Sequence, residues 1–411
     1  MINYKEKTLA NGLKVIAHRD TSTPMAALNI LYKVGAKDED PSMTGFAHLF
    51  EHLMFGGTPA VPDFDVYVQN MGGDSNAFTT NDYTNYYLSF PKDNLEMAFW
   101  LEADRMRGLA FTQKSLDVQK NVVIEEFKQR YLNQPYGDTW LKLRPVAYKV
   151  HPYKWATIGE KIEHIEKAEL QDVKDFFYRY YLPNNASLVF AGDVEEEKIF
   201  ALAEKYFGGI PSGEIKRQKY SPEPKQTEYR EVSSDLKVPV KSFYQVYHMA
   251  QRNHDDFYAI DLLSDILARG ASSRLYQKLV KENPLFAELS TYVLGSNDPG
   301  LFVVHAMLSD DVEMDVAKAA LQTELDALLA NGVTENELKK VVNKSETSMV
   351  YQEMNVLNKA QNLAFFDLLE DAKLMNQQQE KYSAVKPNDV LRLAKELLKK
   401  ENCTCLNYTN V

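Results

Sequence analysis

Gly45-Phe46-Ala47-His48-Leu49-Phe50-Glu51-His52-Leu53-Met54-Phe55-Gly56-Gly57 is the stretch from which this chain is best read. Residues 42–55 predict a helix, with Ser42 or Thr44 as its N-cap and Gly56-Gly57 as its terminator. On a helix His48 and His52 lie one turn apart on one face. Two imidazoles so placed can reach one metal ion, and Glu51 borders the same face, where it can hydrogen-bond a water without being a ligand. Leu49, Phe50, Leu53 and Met54 would bury the rest of the helix and hold both imidazoles rigidly. Imidazole nitrogen suits zinc, and a catalytic zinc keeps three protein ligands and one open position. The pattern therefore asks for a third ligand elsewhere. Spacing alone leaves two ordinary histidines as the other reading.

Outward from this helix, residues 13–17 follow an Asn11-Gly12 turn signal and read as a strand, as do residues 26–34. Residues 63–71 read as a short helix and 76–90 as strand. Residues 95–107, 116–131, 170–181 and 195–207 have helical character, and 186–192 form an apolar strand closed by Gly192. Residues 208–238 change character, with Pro211, Pro222 and Pro224 among Gly, Ser, Lys and Glu, which is linker composition. A second run then follows: strand 241–248, helices 258–267 and 274–282, strands 287–294 and 301–307, and helices 312–329, 335–369 and 387–398. The shared order of elements predicts two domains of one α+β type, 1–210 and 239–411, joined by a linker at 211–238.

The bulk numbers agree with that division. A chain of 411 residues exceeds one typical core and suits two domains of about 200 residues. A net charge of −11 gives no basic footprint for nucleic acid. The two cysteines, Cys403 and Cys405, exclude a disulfide framework and read as small side chains on one face of a terminal strand. No run reaches the 18 or so apolar residues of a membrane span. The N-terminal residues lack the pattern of a secretory leader. A cytoplasmic protein is expected, or a periplasmic one if a leader has been removed.

Residues 45–58 resemble the active-site helix of the pitrilysin family, zinc peptidases with the inverted order His-x-x-Glu-His, which includes insulin-degrading enzyme and the mitochondrial processing peptidase. Residues 73–80, 151–159 and 181–193 resemble the same family, and 270–276 resemble its C-terminal domain. The resemblance implies an α+β fold of two homologous α/β-sandwich domains, each a mixed sheet with helices on one face, together forming one half of a clamshell. It implies one zinc ion per chain, with Glu126 as third ligand beside His48 and His52, and Glu51 as the general base. Gln119 falls where the family has a second glutamate, seven residues before the ligand; it can orient the metal shell by hydrogen bonding but cannot carry charge or a proton. Asn76, Ala77, Phe78 and Thr79 fall on the edge strand to which a peptide substrate adds, Asn76 and Ala77 meeting its backbone.

One part of the family pattern is missing. The arginine and tyrosine that the second half presents to substrate fall on Val280 and Ala287; Arg274 lies too early and Tyr292 too late. The resemblance thus implies an endopeptidase for short or unfolded peptides enclosed by a dimer, and the missing pair points to a heterodimer in which a paralogue supplies it. The competing expectation is a catalytically inactive structural or peptide-binding subunit of the same family. Neither nucleic acid nor a membrane is an expected partner.

Overall fold

Met25–Tyr32 and Ala186–Gly192 are buried over nearly their whole length, and strands of that kind must be covered on both faces. The computed structural model, which describes residues 1–410, places both inside a sheet. In chain order the strands are β1 (Lys5–Thr8), β2 (Lys14–Arg19), β3 (Met25–Tyr32), β4 (Asp74–Thr79), β5 (Thr84–Pro91), β6 (Ala186–Gly192), β7 (Arg230–Ser234), β8 (Ser242–His248), β9 (Phe286–Leu294), β10 (Leu301–Leu308) and β11 (Cys403–Tyr408). The α-helices are α1 (Phe46–Leu53), α2 (Phe64–Asn70), α3 (Leu95–Arg107), α4 (Gln113–Phe127), α5 (Thr139–Ala147), α6 (Ile162–Glu166), α7 (Leu170–Tyr180), α8 (Glu196–Phe207), α9 (Asp256–Ala268), α10 (Met314–Asn331), α11 (Glu335–Gln352), α12 (Val356–Leu369), α13 (Leu374–Ala384) and α14 (Pro387–Leu397).

These elements form two compact units. One comprises Met1–Phe127, Trp155–Lys219 and Val350–Asn376; the other comprises Lys128–Lys154, Tyr220–Met349 and Gln377–Val411. The first unit holds a sheet of order β1-β2-β6-β3-β5-β4, in which only β2 and β6 run parallel. Helices α1, α3 and α8 pack on it. The face carrying Ile16, Ala27, Leu31, Val189 and Ala191 is closed by Ala360, Leu363 and Ala364 of α12. Buried Asp367 pins that helix, accepting from Lys14 Nζ at 2.6 Å and from the Ser187 hydroxyl at 2.5 Å.

The second unit's sheet has the order β7-β11-β8-β10-β9, again with one parallel pair, β7 and β11. This is the order β2-β6-β3-β5-β4 repeated strand for strand. Phe243, Phe302 and Val304 on one face pack with Leu263, Leu321 and Leu393 of α9, α10 and α14. Val246, Val303 and Leu406 on the other face pack with Leu143 and Ala147 of α5. Asp138, before α5, accepts from the Ser234 and Tyr408 hydroxyls, each at 2.6 Å.

Several expectations need correction. The boundary at 211–238 is crossed, because α5 belongs to the second unit and α12 to the first. The reason is coverage: each central strand is apolar on both faces, and the helix that closes the second face comes from the other half of the chain. To the main helical layer of each sheet the structure thus adds one helix on the opposite face. The linker region contains β7, which pairs with β11 far away in sequence. The helix expected at 335–369 is broken, since Asn355 caps a new helix by accepting the Leu357 N–H. The strand expected at 76–90 is a hairpin, with residues 80–83 forming its turn. Cys403 and Cys405 are buried free thiols on β11.

Candidate metal centre

Helix α1 is shorter than expected and starts after Gly45 rather than at Ser42 or Thr44. Gly45 has φ +90°, and a Cβ there would stand 2.7 Å from the Ile158 carbonyl, so no other residue fits without strain. Ser42 and Thr44 bond elsewhere, Ser42 to Asp40 and Thr44 to His164. The helix start is capped from a distance instead. Glu39, 1% exposed, accepts the N–H of Gly45 at 2.9 Å and of Ala47 at 2.8 Å. Burial pushes the Glu39 carboxyl up to about 8, against the pull of these two N–H groups. No local pattern in the sequence marks this cap, which lies six residues before the glycine.

The buried side of α1 is aromatic. Phe50 stacks on Phe176 at 4.9 Å and on Tyr181 at 5.2 Å between ring centroids. Burying such a ring is worth roughly 2–3 kcal/mol. The hydroxyls of Tyr86 and Tyr181 lie 3.2 Å apart, and burial, with a smaller push from the Glu51 charge, raises the pKa of each. Both therefore stay neutral at physiological pH. Beneath them Arg105 and Glu102 form a fully buried pair, with Nε and Nη2 of Arg105 donating to the carboxylate at 2.7 and 2.5 Å. The guanidinium lies over the rings of Phe64 at 4.6 Å and Tyr86 at 4.7 Å. A rigid aromatic bed thus underlies the helix.

The other side of α1 faces α4 and β4. There the three expected ligands converge. Oε2 of Glu126 is 3.7 Å from His48 Nε2 and 3.4 Å from His52 Nε2, and the ligand atoms of the three residues all lie within 4.8 Å of one another. Donors held at about 2.1 Å by a tetrahedral zinc lie roughly 3.4 Å apart, so this set fits the ion. The imidazoles meet edge to face, 4.8 Å between centroids. Helix α4 is anchored by Lys120, whose ammonium donates to the carbonyls of Glu166 and Ala168. Gln119 sits two turns before Glu126 on α4, half-buried, and Glu125 is exposed. Immediately after α4 the chain makes a π-helical turn, Lys128–Leu132, a feature often found at functional sites.

Glu51 and the expected substrate strand also meet here. Strand β4 pairs only with β5 and forms the sheet edge. Asn76 is exposed, and its side-chain carbonyl accepts the N–H of Ala77 at 2.8 Å. Phe78 turns its ring to Tyr83, 5.8 Å between centroids. Thr79 points to Glu51: its hydroxyl donates to Glu51 Oε2 at 2.6 Å. In the second unit Val280 packs against the apolar core, Ala287 is exposed on β9, and Tyr292 pairs with Val303, with burial raising the pKa of its hydroxyl.

Two imidazoles and a carboxylate thus meet beside an open sheet edge, with Glu51 as a further carboxylate on α1, and the three could hold a metal ion. The comparisons give the family. Residues 14–142 match the family described as Insulinase (Peptidase family M16), and residues 167–345 match Peptidase M16 inactive domain. The chain belongs to the M16, pitrilysin-type, peptidase family. His48, Glu51, His52 and Glu126 all fall within the first match.

The chain is 29% identical to the zinc protease PqqE of Helicobacter pylori, over 98% of this chain and 91% of that protein. It is 23% identical to the uncharacterized zinc protease YmxG of Bacillus subtilis, over 84% of this chain and 83% of that one. Among solved structures it superimposes on a protease from Helicobacter pylori with a TM-score of 0.94 and 28% identity, covering 100% of both chains. Pitrilysin matches in fold, with a TM-score of 0.78 and 17% identity, over 100% of this chain but 45% of its own. Zinc accompanies the family in the names of these relatives. Among the described residues no helix is long and apolar enough to cross a membrane.

Proposed function

We propose that this chain is a zinc-dependent endopeptidase acting on short or unfolded peptides. The observation that carries the reading is the convergence of His48 Nε2, His52 Nε2 and a Glu126 carboxylate oxygen on the helix that also bears Glu51. His48, His52 and Glu126 would hold one zinc ion per chain. When bound, zinc supplies Lewis-acid polarisation and lowers the pKa of water to near neutrality. Glu51 takes the proton from the attacking water and delivers it to the leaving amine. The peptide adds as a strand to the open edge of β4, where Asn76 and Ala77 offer main-chain hydrogen bonds. The Asn76 side chain must then release the Ala77 N–H that it now holds.

The partner proposal rests on coverage and on the missing pair. This chain spans 45% of pitrilysin and 48% of the Escherichia coli periplasmic protease PqqL. We infer that a second chain supplies the counterpart of the remainder, together with the arginine and tyrosine that Val280 and Ala287 lack. A second reading, a non-catalytic structural or peptide-binding subunit, is favoured by that same lack and by the match to a domain described as inactive.

Zinc measured by elemental analysis and cleavage of quenched peptides separate the two. The peptidase reading expects one zinc per chain and a cleavage that Glu51→Gln abolishes while zinc is retained. Cleavage by the chain alone would remove the case for a partner. Inertness both alone and with its paralogue would favour the non-catalytic reading.

A further inference from the structure

Thr79 was expected to meet substrate, but its side chain turns inward to the base. The Thr79 hydroxyl donates to Glu51 Oε2 at 2.6 Å, within the range of a short, charge-assisted bond. We propose that Thr79 is a positioning residue for Glu51, fixing the orientation of the carboxylate by holding its Oε2. The inference rests on the peptidase reading above and adds to it a residue that acts through the base.

Three features support the assignment. A glutamate side chain has several rotatable bonds, so one strong contact at its tip removes much of its freedom. Threonine is β-branched and stiff at its first side-chain torsion, so its hydroxyl is already oriented by the backbone of β4. That backbone is itself fixed at this end: Thr79 pairs with Thr84 of β5, and Phe78 is braced by Tyr83. A positioned base is worth more than a mobile one, because proton transfer demands a defined heavy-atom geometry.

The position of Thr79 adds a coupling. Strand β4 is the element to which the peptide is proposed to add, so the strand that registers the substrate also registers the base. A substrate pairing along β4 would lie in register with the strand end that carries Thr79. The bond from Thr79 to Glu51 then links correct strand addition to a competent carboxylate.

The test uses Thr79→Val, which keeps shape and strand propensity but removes the hydroxyl, and Thr79→Ser, which keeps the hydroxyl. Thr79→Val should lower kcat roughly ten- to a hundredfold, the cost of a hydrogen bond to a charged group, with KM and zinc content unchanged. Thr79→Ser should recover most of the rate. A second readout needs neither metal nor activity: in the metal-free chain, the drop in Tm caused by Thr79→Val should largely vanish in a Glu51→Ala background.

Undiminished kcat in Thr79→Val would overturn the positioning role and leave the peptidase reading standing. A raised KM with kcat intact would overturn it in favour of a substrate contact. If the wild-type chain cleaves no peptide, either alone or with its paralogue, the peptidase reading fails, and the stability cycle decides the Thr79–Glu51 link by itself. Additive Tm shifts would then overturn it and non-additive shifts would support it.

Discussion

Glu39→Gln tests which of two opposed effects governs the cap of α1. The carboxyl is buried, which disfavours its charged form, yet it accepts two backbone N–H bonds from Gly45 and Ala47, which favour it. Burial wins on balance, and the group titrates at about 8 rather than 4.5. Between those values the folded chain keeps a proton that the unfolded chain has lost. Stability therefore falls as pH rises, by about 1.4 kcal/mol per pH unit, and the contribution present below pH 4.5 is gone above pH 8. Over the full window this amounts to roughly 5 kcal/mol.

The amide in Glu39→Gln does not titrate. The stability of the wild type minus that of the variant should thus decline steadily from pH 4.5 to 8 and then level off. Urea unfolding at a series of pH values, with chelator present so that metal binding does not contribute, measures both curves. Parallel curves would show that Glu39 does not titrate in this window. A wild type that gains on the variant as pH rises through 4.5 would show that the two N–H bonds outweigh burial, and would refute the reasoning.

Three further outcomes follow from the contacts. Arg105→Met strips buried Glu102 of its partner beneath α1 and should cost about 3–5 kcal/mol in urea unfolding, while Glu102→Leu combined with Arg105→Met should regain most of that loss. Asp367→Ala removes the acceptor of Lys14 and Ser187 and should cost about 2–3 kcal/mol, with faster amide hydrogen exchange along α12 than along α8. Chelation should lower the Tm of zinc-loaded wild type, because a ligand at a hundredfold its Kd adds about 2.7 kcal/mol. His52→Ala should bind no stoichiometric zinc and show no chelator effect.

The parts of the site that share one helical repeat are legible in the sequence. His48, Glu51 and His52 are fixed relative to one another by α1 alone, whatever surrounds it. Glu126 is different: it lies on α4, and only the register of a known family ties it to the two histidines. The structure brings all three within reach because α1 packs on α4. Long-range caps and pairings leave no local trace. Glu39 caps a helix from a separate segment, β7 hides in proline-rich surroundings because its partner is β11, and the role of Thr79 depends on how a strand end meets a helix face.

Among elements of the fold, β3 and β6 were readable as apolar runs, and α3, α8 and α14 nearly to the residue. Helix α5 was not readable. It contains Pro145, and its apolar residues, Leu143 and Ala147, serve a sheet whose strands begin far downstream. Periodicity shows that a face must be buried and does not show against what. The same limit explains why two contiguous domains were expected where the compact units are interleaved.

That interleaving has a consequence for how the protein can be divided. Between residues 127 and 377 the chain passes back and forth, so that each unit's second face is sealed by a helix borrowed from the opposite half of the sequence. Neither half is a portable module. A fragment ending at residue 219 would leave Ile16, Leu31 and Val189 open to solvent, and one beginning at residue 220 would do the same to Val246, Val303 and Leu406. Splitting the chain at the proline-rich stretch would therefore deliver two pieces, each with one apolar sheet face left unsealed.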